Sequence, residues 1–456
     1  MRISVIGCGY LGAVHAAAMA SQGHDVIGID VDPVRLGALR EGRVPFHEPG
    51  LEQLLSEGMS AGRLRFSTQI ADAATAQVHF VAVNTPQRLG GDEADLGYVE
   101  AALRSLAPHL ARGALVVGKS TVPVGTARRL APLLDGRAEL VWNPEFLREG
   151  HAIDDTLRPD RLVYGVGDDP DAAERAQTLL DAVYAPQLAA GVPRIVADRE
   201  TAELVKVSAN AFLALKISFI NAVADVCAAT GADVNLLADA IGHDARIGRR
   251  FLGAGLGFGG GCLPKDIRAF GARAAELGEE AIGSLLREAD RINLGRRHRA
   301  VELLRTALSS EPGAAASADQ GGDLRGRRIA VLGLAFKPDS DDIRDSPALS
   351  VATELALLGA EVVAHDPHAV PKVRAARPEL TCVDTAADAV VGADAVLVLT
   401  EWREYRELDP AALAATTPAR LVLDARNCLD PAAWRAAGWD YRGLGRHEQA
   451  LGALVA

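Results

Sequence analysis

At 456 residues the chain is long enough for two or three domains, and with 49% of its residues apolar it can bury large cores. A net charge of −12 argues against nucleic acid or an anionic membrane as the main partner. No uncharged apolar run reaches ~18 residues, and the five cysteines, at 8, 227, 262, 382 and 428, are odd in number and lack metal-ligand spacing. The expectation is a reduced, cytoplasmic protein that holds no metal. Its first residues already read as a strand, which leaves no room for a signal peptide.

Met1 to Ile6 reads as a buried strand, followed at once by Gly7-Cys8-Gly9-Tyr10-Leu11-Gly12 and a helical stretch from Ala13 to Gln22. Gly23 to Asp30 then reads as a turn and a second strand ending in a carboxylate. A bare G-x-G-x-x-G is weak evidence, but between strand and helix, with an acid eighteen residues beyond Gly12, it fits a dinucleotide-binding unit. Gly7 allows the tight turn, Gly9 lets a pyrophosphate approach, and Gly12 lets helix and strand pack closely. The phosphates meet the free N–H groups of the helix start. Asp30 accepts from a ribose 2′-OH and repels a 2′-phosphate, so NAD is expected over NADP. A Rossmann-like unit without a nucleotide is the competing reading.

Strands such as Val78–Val83 and Ala114–Gly118 alternate with helical stretches to about residue 200, the pattern of a largely parallel sheet. Asn84-Thr85-Pro86, Lys119-Ser120-Thr121-Val122-Pro123 and Asn143-Pro144-Glu145-Phe146-Leu147-Arg148-Glu149-Gly150 each follow a strand, where α/β ligands bind. Each also reads as ordinary turn and capping chemistry.

From about 200 to 300 the chain is helical and alanine-rich. Glu203, Lys206 and Asn210 fall at i, i+3 and i+7 and share a face. Val205, Val207, Phe212 and Leu213 suggest a helix covered on most sides, where a lysine is costly unless it meets an anion. Only six of the 48 basic residues are lysines, and Lys119, Lys206, Lys265 and Lys337 all fall in segments singled out on other grounds. A lysine's compact charge can be tuned by burial and arginine's cannot. Gly257-Phe258-Gly259-Gly260-Gly261-Cys262-Leu263-Pro264-Lys265-Asp266 interrupts the helices. Glycines let a ligand reach the backbone, and a cysteine beside a cation is placed to act as a thiolate. A tight loop around a half-buried cysteine is the equal alternative.

Residues 309–326 are small, polar and glycine-rich and read as a linker. Beyond them Arg328–Gly333 echoes the first strand and turn, and Gly359–Asp366 echoes Gly23–Asp30. The expected fold is α/β: two Rossmann-like αβ domains joined by a long central helix and helical middle region. Its parts are a dinucleotide-binding domain over 1–198, a central helical region with the cysteine loop over 199–308, the linker over 309–326 and a second αβ domain over 327–456. The second αβ turn lacks the three-glycine spacing, so a second dinucleotide site is not implied.

Taken in order, Gly7-x-Gly9-Tyr10-Leu11-Gly12, Asn84-Thr85-Pro86, Ser120-Thr121-Val122-Pro123, Asn143–Gly150, Glu203-Leu204-Val205-Lys206, Gly257–Asp266 and Gly333-Leu334-Ala335-Phe336-Lys337-Pro338 resemble the UDP-glucose dehydrogenase family. More broadly they resemble the nucleotide-sugar dehydrogenases that turn a primary alcohol into a carboxylate. The likeness covers nearly the whole chain, and the set is far more specific than any member.

That resemblance implies two hydride transfers to two NAD⁺, with Cys262 capturing the aldehyde as a thiohemiacetal and then a thioester. It implies Lys206 and Asn210 as oxyanion donors, Asp266 as base or water-orderer, and Glu145 with Thr121 holding the hydrolytic water. Cofactor contacts would come from Gly7, Gly9, Tyr10, Leu11, Gly12, Asp30, Arg35, Thr85, Thr121, Glu149, Lys265 and Arg344. The nucleotide sugar would meet Glu145, Phe146, Leu147, Glu149, Lys206, Asn210, Phe251, the backbone from Gly253 through Phe258 to Gly259, and Phe336, Lys337 and Arg426. Arg246 would reach it from the other subunit of a homodimer built on the long central helix.

Gly261 departs from the small hydroxyl residue or alanine frequent in the family, which would loosen the loop, and His47 stands where relatives usually carry an aromatic. UDP-glucose is the expected substrate, with GDP-mannose and UDP-N-acetylhexosamines as alternatives. A nucleotide-binding regulator without turnover is the reading from another class, against which Cys262, Lys206 and Asp266 argue. A plain two-electron β-hydroxyacid dehydrogenase also fits the fold alone.

Overall fold

The computed structural model describes residues 1–309 and 324–446, so most of the expected linker lies outside the described residues. Two compact units emerge: Met1–Asn210 with Arg268–Gly283, and Ala211–Ile267 with Ser284–Ala456.

In the first unit, eight short strands carry the sheet: β1 (Arg2–Ile6), β2 (Asp25–Ile29), β3 (Leu64–Ser67), β4 (Val78–Val81), β5 (Ala114–Gly118), β6 (Ala138–Trp142), β7 (Leu162–Val166) and β8 (Arg194–Asp198). They lie in the order β3-β2-β1-β4-β5-β6-β7-β8, and every pairing is parallel except β6 with β7. Parallel strands buried on both faces need apolar residues at successive positions. Accordingly Leu115 and Val117 join one core, and the intervening Val116 joins the other. The strand order reverses between β1 and β4, which opens the crevice where such sheets bind ligands.

The second unit contains β9 (Arg328–Leu332), β10 (Glu361–His365), β11 (Thr381–Cys382), β12 (Ala395–Val398), β13 (Leu421–Asp424) and β14 (Asp440–Gly443), in the order β11-β10-β9-β12-β13-β14 and parallel throughout. This repeats the arrangement of the first six strands, as the echo of Gly23–Asp30 in Gly359–Asp366 suggests. The helical middle consists of Arg199–Thr230, Val234–Gly242, Leu263–Glu276 and Glu280–Ser309.

One expectation about the longest helix needs correction. Val207 is buried, but Phe212 is 63% exposed. Phe212, Phe219 and Val226 recur every seventh residue and are all exposed, so the apolar content of this segment reflects a bare stripe as well as a buried one. A 3.6-residue period returns residues seven apart to nearly the same side.

Candidate active site

The dinucleotide turn has the geometry its glycines require. Gly7 adopts φ 91°, the left-handed region that favours glycine. A Cβ on Gly12 would stand 1.7 Å from the Gly7 carbonyl oxygen, so this glycine is what lets the helix Tyr10–Ser21 lie against the strand end. At Gly9 an added Cβ would meet only Asn84 Oδ1, at 3.9 Å. Gly9 caps the helix with no side-chain hydrogen bond. Open space before a helix N-terminus fits a pyrophosphate. Asp30, buried at the end of β2, accepts from the Cys8 N–H at 2.7 Å, from the Asp32 N–H at 2.9 Å and from Arg35 Nη1 at 2.9 Å. Asp30, expected at the ribose, and Arg35, expected among the cofactor contacts, are therefore brought together.

Beyond β4, β5 and β6 the three strand-end segments converge. Thr85 Oγ1 donates to the Thr121 carbonyl at 2.8 Å, and Ser120 Oγ to the Val83 carbonyl at 2.6 Å, so the β4 and β5 loops are tied together. Glu145 follows β6. Its Oε1 lies 2.9 Å from Lys206 Nζ, and its Oε2 accepts from the Leu147 N–H at 2.6 Å. Burial opposes ionisation of Glu145, but Lys206, the Leu147 N–H and Lys119 outweigh it and hold the carboxyl below its usual range. Two cations lie near the Phe146 ring, Arg161 3.7 Å and Lys206 5.7 Å from its centroid. Glu203, Lys206 and Asn210 are all buried on their shared face, as the spacing predicts, and Glu149 is half-buried.

Lys119, noted in the sequence for its rarity and its place after β5 but given no role, belongs to this group. It is buried, donates to Asn143 Oδ1 at 3.0 Å, and is pushed down to about 8 by burial, partly opposed by Glu145. Sequence reasoning also passed over Glu48, one residue from the unexplained His47. Its buried carboxylate accepts from the Tyr10 hydroxyl and from the Gly150 and Ala152 N–H groups, at 2.7 and 2.8 Å, tying the first helix to the Glu149 loop. No local pattern marks either residue, because the partners lie 24 to 104 positions away.

In the second unit Cys262 is exposed, which removes the half-buried reading. It caps the helix Leu263–Glu276, its carbonyl accepting from the Asp266 N–H at 3.0 Å. Lys265 Nζ lies 2.5 Å from the buried Asp266 carboxylate. A thiolate at Cys262 would face the positive end of the helix.

The glycines before Cys262 make room for the protein's own chain as well as for any ligand. An added Cβ would meet Asn293 Oδ1 at 2.1 Å from Gly257, the Asp345 carbonyl at 2.3 Å from Gly259, and the Phe336 ring at 2.8 Å from Gly260. At Gly261 it would meet the Arg344 guanidinium at 2.3 Å. That contact is with the tip of a flexible side chain that is 61% exposed, so a shift of Arg344 would make room for a small residue at 261. Arg426 donates to the Gly257 carbonyl at 2.8 Å and the Phe336 carbonyl at 3.2 Å, joining these segments. Phe251 holds φ 66°, an uncommon backbone for a bulky residue, and Phe258 is buried. A Cβ at Gly253 would meet nothing within 4 Å. Lys337 Nζ lies 5.5 Å from the Phe336 ring centroid. Arg246 is 88% exposed and paired with Asp244 at 2.6 Å. Among the described residues no cluster of His, Cys, Asp and Glu could hold a metal ion.

Known proteins resemble this chain throughout. The UDP-glucose/GDP-mannose dehydrogenase family matches it with its NAD binding domain over residues 1–187, its central domain over 200–294 and its UDP binding domain over 330–431. A UDP-glucose 6-dehydrogenase of Rhizobium meliloti (strain 1021) is 41% identical, across 98% of this chain and 100% of its own. The UDP-glucose dehydrogenase structure from Pyrobaculum islandicum is 40% identical, covers 98% of both chains and superposes with a TM-score of 0.86. A UDP-D-ManNAc dehydrogenase from Pyrococcus horikoshii is 29% identical, covers 98% of this chain and 99% of its own, and reaches 0.83.

Proposed function

The chain belongs to the UDP-glucose/GDP-mannose dehydrogenase family and is an NAD-dependent oxidoreductase, and on that premise we propose that it oxidises UDP-glucose to UDP-glucuronate. The choice of sugar rests on full-length relatives named for UDP-glucose at 40 and 41% identity, against 29% for the UDP-D-ManNAc enzyme. NAD⁺, when bound, takes up the hydride lost from C6, twice per product. Gly7, Gly9, Tyr10, Leu11 and Gly12 cradle its phosphates, Asp30 and Arg35 its ribose, and Thr85, Thr121, Glu149, Lys265 and Arg344 the remainder.

The chain's own side chains manage the carbonyl carbon. The Cys262 sulfur adds to the aldehyde, forming a C–S bond as the thiol proton passes to a base. After the second oxidation the carbon is a thioester, and water cleaves the C–S bond, supplying the second carboxylate oxygen and restoring the thiol. Lys206 and Asn210 stabilise the oxyanions, Asp266 serves as base or orders water, and Glu145 with Thr121 holds the water. The sugar nucleotide is met by Phe146, Leu147, Phe251, the Gly253–Gly259 backbone, Phe336, Lys337 and Arg426. The domain division at 198, 308 and 327 follows the same assignment.

An exposed thiol capping a helix beside Lys265 carries the four-electron reading; a two-electron dehydrogenase needs none. The test is NADH absorbance with the product identified by mass. The unaltered enzyme should release two NADH per UDP-glucuronate, and Cys262→Ala at most a slow first equivalent. Cys262→Ser should stall at an ester, since an alkoxide leaves less readily than a thiolate. Full two-equivalent turnover by Cys262→Ala would end the covalent mechanism, and NADH from GDP-mannose or a UDP-N-acetylhexosamine alone would move the substrate.

A homodimer is part of the proposal, with Arg246 entering the partner's site. The bare stripe of Phe212, Phe219 and Val226 supports it, since apolar side chains in a row favour burial against a second surface. Phe219→Glu should halve the mass measured by light scattering; an unchanged dimer would place the interface elsewhere.

A further inference from the structure

Glu203 shares a helix face with Lys206 and Asn210, yet the chemistry above gives it no task. Its side chain is buried at 2% exposure. Oε2 accepts from the Gly125 N–H and Oε1 from the Ala127 N–H, both at 2.7 Å. These N–H groups open the short helix Thr126–Leu130, directly after the segment that carries Thr121. The same segment is held from another side by Arg273, whose Nε donates to the Val124 carbonyl at 3.0 Å. Its near end accepts the Thr85 hydroxyl at the Thr121 carbonyl. A chain of bonds therefore runs from Glu203, seven residues from Asn210 and three from Lys206, to the loop pair expected at the cofactor.

We propose that Glu203 is a positioning residue for the dinucleotide, its carboxylate fixing the Thr121–Ala127 segment so that Thr85 and Thr121 are set for binding. The proposal rests on the cofactor assignment of those two threonines. The two-point acceptance is strongest when the group is ionised, because a protonated carboxyl gives up acceptor strength and brings an O–H that needs an acceptor of its own. Charged groups nearby are Arg199 and Glu200 on its own helix, Arg128 on the clamped helix, and Arg273. Arg199 is paired with Glu139, Arg128 with Glu200 and Arg273 with Glu276, so each cation has a carboxylate other than Glu203. Burial accordingly pushes Glu203 up to about 7, against the pull of the two N–H groups.

The sign of the pH effect separates this role from simple support. A carboxyl whose folded value lies above its ordinary 4.5 favours folding while protonated, and that contribution is lost as the pH rises through about 7. Cofactor binding should move the other way, tightening as Glu203 ionises.

The experiment measures NADH affinity by fluorescence titration and thermal midpoint from pH 5.5 to 8.5, on the unaltered enzyme, Glu203→Gln and Glu203→Asp, with kcat and KM for UDP-glucose oxidation alongside. Glu203→Gln retains one acceptor and opposes the second N–H with its own. It should weaken NADH about tenfold at pH 8, the scale of one lost charge-assisted hydrogen bond, and should raise the KM for NAD⁺ more than it lowers kcat. Its affinity should no longer tighten near pH 7, and its stability relative to the unaltered enzyme should improve with pH. Glu203→Asp should regain part of the pH dependence, and carries the test if the glutamine variant does not fold. Unaltered affinity and pH profile in both variants would overturn the proposal, as would a fall in stability with both unmoved. If the unaltered protein left UDP-glucose untouched while its NADH affinity still tracked Glu203, the substrate assignment would fall and this one would stand.

Discussion

The two αβ sheets share a strand order, a positive-φ glycine after the first strand and a carboxylate after the second, yet they use that carboxylate differently. In the first sheet the helix begins three residues beyond Gly7, with open space at Gly9, and Asp30 accepts one N–H of the turn, from Cys8. In the second, Gly333 has φ 105°, but the next helix begins only at Pro347. Asp366 there accepts the Leu334 and Ala335 N–H groups at 2.8 and 2.9 Å and the Trp402 indole at 3.1 Å, and its other oxygen accepts from His368 and Ala369. The protein's own carboxylate thus takes the donors that a phosphate would use. Topology gives both sheets a ligand-binding edge; the turn decides which one takes a dinucleotide.

Breaking each region should therefore fail differently, and the largest effect belongs to chemistry beside the first sheet. Lys206→Ala should lower kcat by roughly 10²–10³, the scale for removing one oxyanion donor, with Lys206→Arg failing to restore it because guanidinium is larger and forked. Recovery of most activity by arginine, in steady-state assays, would reduce the lysine to bulk charge.

Asp366→Ala should cost folding instead of binding. It strands buried N–H donors at roughly 1–3 kcal/mol each if no water reaches them, so the denaturant midpoint should fall sharply. NADH affinity, measured below that midpoint, should hold. A loss of affinity with stability intact would mean the second turn serves the cofactor after all.

At the first turn the glycines part company. Gly12→Ala drives a methyl into the Gly7 carbonyl and should destabilise the fold, whereas Gly9→Ala meets only Asn84 Oδ1 at 3.9 Å and should leave the melting temperature nearly unchanged while weakening NAD⁺. Asp30→Ala should weaken NAD⁺ and narrow its preference over NADP⁺, read from the ratio of kcat/KM values. Equal use of both cofactors by the unaltered protein would defeat the ribose assignment.

The last effect is a pH dependence. Lys119 sits at about 8 in the folded chain, below its ordinary 10.5, because burial disfavours the ammonium. The unfolded chain then holds the extra proton between those values, so stability should rise with pH from about 8 to 10.5, and Lys119→Met should flatten that rise in denaturant titrations.

The sequence by itself determined what depends on neighbours along the chain. Gly7, Gly9, Gly12 and Asp30 are legible because a turn, a helix start and a strand end are local geometry. The shared face of Glu203, Lys206 and Asn210 follows from helical periodicity alone. Cys262 could be singled out from its glycines and Lys265, but its capping of a helix could not, since the run before Leu263 reads as loop. Only the tertiary structure decided which buried groups meet. Glu203 finds its N–H partners 76 and 78 residues back, Glu48 finds the Gly150 loop, and Lys119 joins Glu145 and Lys206. Gly257, Gly259 and Gly260 turn out to be spacers for Asn293, Asp345 and Phe336. Phe212 was expected inside and lies outside, because a single helix's pattern marks an apolar side without saying what covers it. Each such contact joins residues far apart in sequence, and only folding brings their charges close enough to displace water and shift one another's ionisation.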